Sequence, residues 1–268
     1  MPAWRRLPRP LSTTAVSRLL LADLISALTL LTRLPVARFA AAGGPPDLAR
    51  CVWAFPLAGG VVNGIGGLAY WLAHRFGVPP LLAAAWTLAA TIAITGGFHE
   101  DGLADTADGF GGGAGTARKM EIMRDSHIGS YGVLALVLSV TARAAAIAAL
   151  GRPAVMTGMI VAGMLGRGGI LLLLLLLAPV RSDGMGAAVA KPRPESAAVG
   201  LALGILGPLL SLPIVPAIAA IVLGLGATMI VAKLAAAQIG GHTGDVLGAG
   251  EVVTECVVLT VLASSFSA

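Results

Sequence analysis

Charge is scarce in this chain: Asp, Glu, Lys and Arg make up 12% of its 268 residues, and only 13 are acidic. Soluble domains carry about 25% charged residues, so a water-soluble globule with a large core is excluded. Aromatics are few, at 4% with two Tyr and four Trp, so aromatic belts are a weak guide to membrane interfaces. The two cysteines, Cys51 and Cys256, have neither the number nor the spacing of a disulfide framework or zinc site. Beside apolar runs they read as buried, inert thiols. The net charge of +5 comes from dispersed Arg and Lys, a pattern that suits loop anchoring and not nucleic acid.

What is abundant is apolar: 57% of residues, for a mean hydropathy of +0.90. This composition predicts an all-α, polytopic integral membrane bundle with one membrane domain over 18–268. Spans are expected at about 52–73, 79–97, 131–150, 154–179, 197–215, 217–237 and 252–266, several near the ~20 residues a bilayer needs. Pro208, Pro213 and Pro216 interrupt the later ones. Gly59, Gly60, Gly64, Gly66 and Gly67 would let helices pack closely. Met1–Ser17, with Arg5, Arg6 and Arg9 among prolines, reads as a basic flexible leader, retained because no small-residue cleavage site follows. Arg18–Val36 carries Asp23 and Arg33, so it is expected to lie in the interface or re-enter, ending at Pro35. Gly43-Gly44-Pro45-Pro46 reads as a loop.

The acids cluster. Glu100, Asp101, Asp105 and Asp108 fall within nine positions, inside Gly96–Gly109. On a helix, Asp101, Asp105 and Asp108 stand at i, i+4 and i+7 and share one face. Their mutual repulsion would be relieved by a hard cation such as Mg²⁺, which bridges carboxylates and phosphates. Acid-rich turns are usually solvated faces, but carboxylates crowded against membrane segments mark function by default.

Gly111–Gly115 follows as a hinge, leading to Arg118, Lys119, Glu121, Arg124, Asp125, Ser126 and His127. Its cations stand beside the carboxylates, as charge on transferring phosphoryl oxygens requires; cytoplasmic loops accumulate Arg and Lys in any case. Glu121 and Asp125 could simply pair with Arg118 or Arg124. A second island, Gly240–Asp245, contains His242, Thr243 and Asp245 and is followed by Glu251 and Glu255, so nine of the 13 acids lie in two islands. Its glycine-rich turn could offer backbone N–H groups to phosphate and one more carboxylate to a metal. Both islands and the Arg181–Arg193 loop fall on one side by span counting. The cations there make that side cytoplasmic. His99 and His242 lack paired zinc spacing; hydrogen bonding or general-base work is open to either. Arg167, inside an apolar run, should face the bundle interior or snorkel, and is a candidate to bind an anionic substrate.

These residues resemble the cobalamin synthase (adenosylcobinamide-GDP ribazoletransferase) family of integral membrane enzymes. The likeness rests on G-G-F-H-x-D-G-L-A-D-T-x-D-G at 96–109, E-I-M-R-D-S-x-I-G at 121–129 and G-G-x-T-G-D-x-L-G-A at 240–249. Leu31–Val36 and Phe55–Leu57 also look like its N-terminal signature, so the similarity runs from about 30 to 260. The resemblance implies transfer from adenosylcobinamide-GDP to α-ribazole or its 5′-phosphate, releasing GMP, with Mg²⁺ required. It places the acidic motif on Asp101, Asp105, Asp108 and Asp245 as metal ligands. Those four and Arg124 would be catalytic; His99, Lys119, Asp125, Ser126, Arg167 and Thr243 would bind substrate. The implied setting is the inner membrane with the site facing the cytoplasm; a homo-oligomer is among the assemblies allowed. Two other readings compete. A CDP-alcohol phosphotransferase shares D-x-x-D-G at 105–109 but lacks the rest of its motif here. A cation transporter would place acids inside the spans beside broken helices.

Overall fold

The computed structural model describes residues 13–39, 46–189 and 191–266. Most of the basic leader and residues 43–45 of the expected loop lie outside these. α1 (Thr13–Leu31) leads through a 3₁₀ turn (Pro35–Phe39), α2 (Leu48–Cys51) and a second 3₁₀ turn (Val52–Ala54) into α3 (Phe55–Arg75). There follow α4 (Pro80–Thr95), α5 (Phe98–Gly112), α6 (Thr116–Ile122) and α7 (Ser130–Leu176). The chain closes with α8 (Gly184–Ala188), α9 (Pro194–Ser211), α10 (Ile214–Ile239) and α11 (Gly244–Phe266). The all-α expectation holds among the described residues, where the only β pairing is one isolated bridge between Pro179 and His242.

Five helices are long and apolar enough to cross a bilayer, six if the bent pair α4–α5 counts as one. The expected seven is not reached on that count, and the backbone gives two reasons. α4 has 16 residues and turns by 91° into α5 at Gly96-Gly97, both left-handed at φ +73 and +72. α7 is counted once, yet its 47 residues reverse at Gly151 (φ +63, ψ −179). Arg143 and Arg167 both reach Glu255, at 3.4 and 3.1 Å. A continuous helix would hold them about 36 Å apart, at ~1.5 Å per residue. The two halves correspond to the separate runs read at 131–150 and 154–179.

The predicted glycine packing is present: the backbones of Gly59 on α3 and Gly163 on α7 are in direct contact, and Gly66 faces Thr91 and Met159. α7 and α11 form the buried centre, while α9 and α10 lie outside, with Leu210, Val215 and Ile230 exposed. That apolar surface suits lipid, not water. α1 is pinned by its buried Asp23, which accepts from Arg50 Nε and Nη2 at 3.0 and 2.8 Å and from Trp53 Nε1 at 3.1 Å. Both cysteines are free; Cys51 is buried and Cys256 half-buried.

A polar layer divides the apolar interior. One cluster packs around Phe55, Leu171 and Val246, and another around Tyr70, Ile147 and Leu262. Between them along α11 come Glu251 and Glu255. Arg167 Nη1 reaches Glu251 at 2.5 Å and Glu255 at 3.1 Å; Arg143 Nη2 reaches Glu100 at 2.9 Å; Asn63 donates to Glu255 at 3.0 Å. This network ties α3, α5, both halves of α7 and α11 together. Buried charges are tolerated only when paired in this way.

Candidate active site

α5 crosses the end of the bundle and is helical as expected, so Asp101, Asp105 and Asp108 share a face. They do not share an environment. Asp101 is exposed, Asp105 half-buried and Asp108 buried. Asp108 accepts from Gly129 N at 2.7 Å and Gly132 N at 2.9 Å. It thereby holds the start of α7, a carboxylate at a helix N-terminus. The structure therefore gives its carboxylate to the backbone, where the sequence reading had it among the metal ligands.

The second island meets the first. α11 begins at Gly244, and Gly102 packs so closely against it that a Cβ there would lie 2.7 Å from Asp245 O. One turn along, a Cβ at Gly248 would lie 3.2 Å from the His99 Cα and 3.3 Å from its carbonyl oxygen. Asp105 consequently feels the negative charge of Asp101, Asp245 and Asp108, opposed by Arg181. Asp245 Oδ2 takes Arg181 Nη1 at 3.5 Å and the Thr243 hydroxyl at 3.1 Å, leaving Oδ1 without either bond. Thr243 Oγ1 in turn accepts from Val246 N and caps α11. The turn before it is fixed by Val180 N to His242 O and His242 N to Ala178 O, both 2.9 Å.

Three cavities curve around the N-terminal half of α5. One of about 870 Å³ is lined by Asp101, Asp105, Arg124, Asp125 and Ser126. A second, about 840 Å³, shares Gly97 and Asp101 with it and adds Thr32, Arg33 and Thr95. A third, about 560 Å³, shares Phe98 with the second and is lined by Arg181, Asp183, His242, Thr243 and Asp245. Asp125 is exposed; hydrogen bonds from the His127 ring and backbone N–H keep its carboxyl below the usual range. His242 is buried, and neither ring nitrogen makes a well-formed hydrogen bond among the described residues. Burial lowers its pKa, offset in part by the Thr243 backbone, so the ring is neutral at physiological pH.

Asp101, Asp105, Arg124, Asp125, Ser126, Thr243 and Asp245 are thus gathered along one set of clefts, and three predicted residues besides Asp108 are not. Lys119 donates to Gln238 Oε1 on α10. His99 is buried on the inner side of α5, 3.9 Å from Glu251. Arg167 is held in the polar layer by Glu251 and Glu255, which offset its charge. Glu121 pairs with Arg118 at 2.6 Å, one of the bland options foreseen. The expected hinge is a packed turn, with Gly111 against the Tyr131 ring and Gly113 against Lys119.

Sequence reasoning missed two cations of the clefts. Arg33 lines the second cavity and is fastened by its N–H to Ile94 O at 2.7 Å. Arg181 had been counted only as a loop charge. Neither carries a local signal beyond its sign. Arg143 did carry one, being a lone cation in an apolar run like Arg167, matched by acids one turn apart at Glu251 and Glu255. The transporter reading expected acids in a span beside a broken helix, and both features exist. These acids, however, are paired with arginines.

The donor chemistry of the clefts suits a hard cation. Among the described residues no three His, Cys, Asp or Glu side chains stand close enough to enclose one. The fit is to Mg²⁺ sharing its shell with water and phosphate oxygens, which needs only one or two carboxylates.

The model of the family described as cobalamin-5-phosphate synthase matches residues 23–263. A Bradyrhizobium diazoefficiens protein named adenosylcobinamide-GDP ribazoletransferase is 44% identical over 254 residues, covering 94% of this chain and 96% of its own. One of the same name from Azorhizobium caulinodans is 42% identical, covering 90% and 94%, and one from Ralstonia nicotianae 40%, covering 86% and 90%. No solved structure matches.

Proposed function

The chain belongs to the cobalamin-5-phosphate synthase family, and on that premise we propose that it is an adenosylcobinamide-GDP ribazoletransferase working at the bundle end where its two acidic islands meet. The observation that carries this reading is the convergence of Asp101 and Asp105 with Asp245, flanked by Arg124 and Arg181. Carboxylates for a divalent cation beside guanidinium groups for phosphoryl oxygens are what pyrophosphate cleavage asks for.

The acceptor is α-ribazole or its 5′-phosphate. A free hydroxyl oxygen of its ribose, not the 5′ oxygen that carries the phosphate, attacks the phosphorus attached to the cobinamide arm, and the bond from that phosphorus to the bridging pyrophosphate oxygen breaks. GMP leaves with the bridging oxygen. The hydroxyl proton passes to Asp245 Oδ1, the oxygen that neither Arg181 nor Thr243 occupies. Asp101 and Asp105 would hold Mg²⁺, which when bound supplies charge neutralisation on the pyrophosphate. Arg124 offsets charge on the transferred phosphoryl group, Ser126 and Asp125 line its cavity, and positioning does most of the catalysis. Asp108 contributes by fixing the segment that carries Arg124. The loops carrying Arg118, Arg124, Arg181 and Arg193 favour a cytoplasmic face of the inner membrane, where a bulky, partly apolar corrinoid can approach from the bilayer boundary.

The test is GMP release by the purified protein given adenosylcobinamide-GDP, α-ribazole and Mg²⁺. Wild-type turnover should be lost in Asp105→Asn at normal protein yield. Transfer from a CDP-activated lipid precursor, with none from the GDP-corrinoid, would refute the assignment.

A further inference from the structure

The third cavity has a composition the transfer chemistry alone does not require. It joins one aromatic ring (Phe98), two carboxylates (Asp183 and Asp245), one guanidinium (Arg181), one hydroxyl (Thr243) and a neutral imidazole (His242) in a cleft open to solvent on one side. His242 is 1% exposed and its ring nitrogens make no well-formed hydrogen bond among the described residues. Buried polar atoms seldom stay without partners, so an imidazole lining a cavity in this state is suited to a ligand that completes it. Asp183, by contrast, is exposed at the cavity rim, where no folding role requires its charge.

We propose that this cavity is the guanosine subsite: it holds the guanine and ribose of the GDP-activated substrate, and afterwards those of GMP, with Asp183 reading the base. The inference rests on the ribazoletransferase reading, and deepens it by dividing the clefts between the two nucleoside-like groups. Guanine presents two adjacent donors, N1–H and the N2 amino group, which one carboxylate accepts together. On its other edge O6 and N7 accept hydrogen bonds, and the one N–H of the neutral His242 ring can supply such a bond. Its faces stack on an aromatic ring. The ribazole base is a glycosylated benzimidazole with no N–H to offer, so it would leave the Asp183 carboxylate without a hydrogen bond. The neighbouring Asp245 and Thr243 lie at the start of α11, whose N-terminus favours phosphate. The nucleotide can thus run from Asp183 toward the carboxylates that handle the pyrophosphate. The acceptor ribazole is left the cavities of Arg33 and Arg124.

The experiment measures equilibrium binding of GMP, IMP and AMP to the detergent-purified full chain by competition against a fluorescent GMP analogue. IMP lacks the N2 amino group and AMP lacks both donors. Wild type should bind GMP, with IMP weaker by about tenfold and AMP by more. Asp183→Asn should abolish the GMP-over-IMP preference. His242→Ala should weaken all three nucleotides, with partial rescue in His242→Gln. Transferase activity is assayed on the same preparations. A wild type that transfers but binds GMP no better than AMP, or Asp183→Asn with an unchanged preference, overturns the subsite and leaves the enzyme assignment standing. A wild type that binds GMP selectively yet transfers nothing from the GDP-corrinoid leaves the subsite standing and strikes at the reaction.

Discussion

Gly102→Ala is the most direct probe of the contact on which the site depends. A Cβ at Gly102 would lie 2.7 Å from Asp245 O and 3.1 Å from Asp245 Cα, both backbone atoms, where ordinary contact begins at 3.4 Å. Neither neighbour can swing away, so α5 and α11 must part by roughly 0.5–1 Å in a close-packed interior. Two stability terms oppose each other: removing a mid-helix glycine favours α5 by about 0.8–1 kcal/mol, and overpacking costs about 1–3 kcal/mol. The melting temperature should therefore move little or fall modestly. Activity has no such offset. A displacement of ~1 Å between catalytic groups costs about 10²-fold in rate, or ~2.7 kcal/mol of barrier. Gly112→Ala is the control, because its Cβ would meet only Ile122 Cδ1 at 3.7 Å. Both variants are compared by GMP release at saturating substrates and by thermal unfolding in detergent. Gly102→Ala with turnover within ~twofold of wild type, and an unchanged requirement for Mg²⁺, would refute the claim that the islands work as one site.

Asp108→Asn should behave differently from Asp105→Asn. It sets an amide donor against Gly129 or Gly132 N–H, costing about 1.5–3 kcal/mol per charged hydrogen bond lost, read as a lower melting temperature with the half-saturating Mg²⁺ unchanged. Asp105→Asn should lose turnover at an unchanged melting temperature. Glu255→Leu leaves Arg143 with Glu100 and Arg167 with Glu251 but removes the bonds both arginines make to Glu255, and should destabilise the fold by about 1.5–3 kcal/mol; denaturant unfolding within ~0.5 kcal/mol of wild type would show that Glu255 contributes nothing to the network. His242 has a folded pKa below its free value because of burial. The unfolded chain therefore takes up its proton first, and stability falls as pH drops below ~6.5. His242→Gln should flatten that acid limb of melting temperature against pH, and an unaltered limb would place the titration elsewhere.

Helical periodicity made the α5 carboxylates legible, because i, i+4, i+7 spacing fixes which side chains share a face. It is silent on what stands opposite that face. Asp101 and Asp105 look onto a cleft, while Asp108, on the same stripe, ends against the first N–H groups of α7. Those donors come from 21 and 24 residues further on, beyond the reach of any local pattern. The same limit explains Arg167. Hydropathy correctly flagged a cation that must face inward, but its partners Glu251 and Glu255 come from another helix and cancel the charge that made it attractive as an anion ligand. The spans were legible as apolar runs. The reversal at Gly151 falls in the gap read between 131–150 and 154–179, whereas the turn at Gly96-Gly97 was not legible, because two left-handed glycines redirect the chain there by dihedral angle alone. A single site was legible only through the agreement of two islands on one membrane side. The glycines make that agreement physical, since Gly102 and Gly248 are the positions where α5 and α11 come into backbone contact. Any side chain at either position would force apart the very groups whose charges the fold brings together.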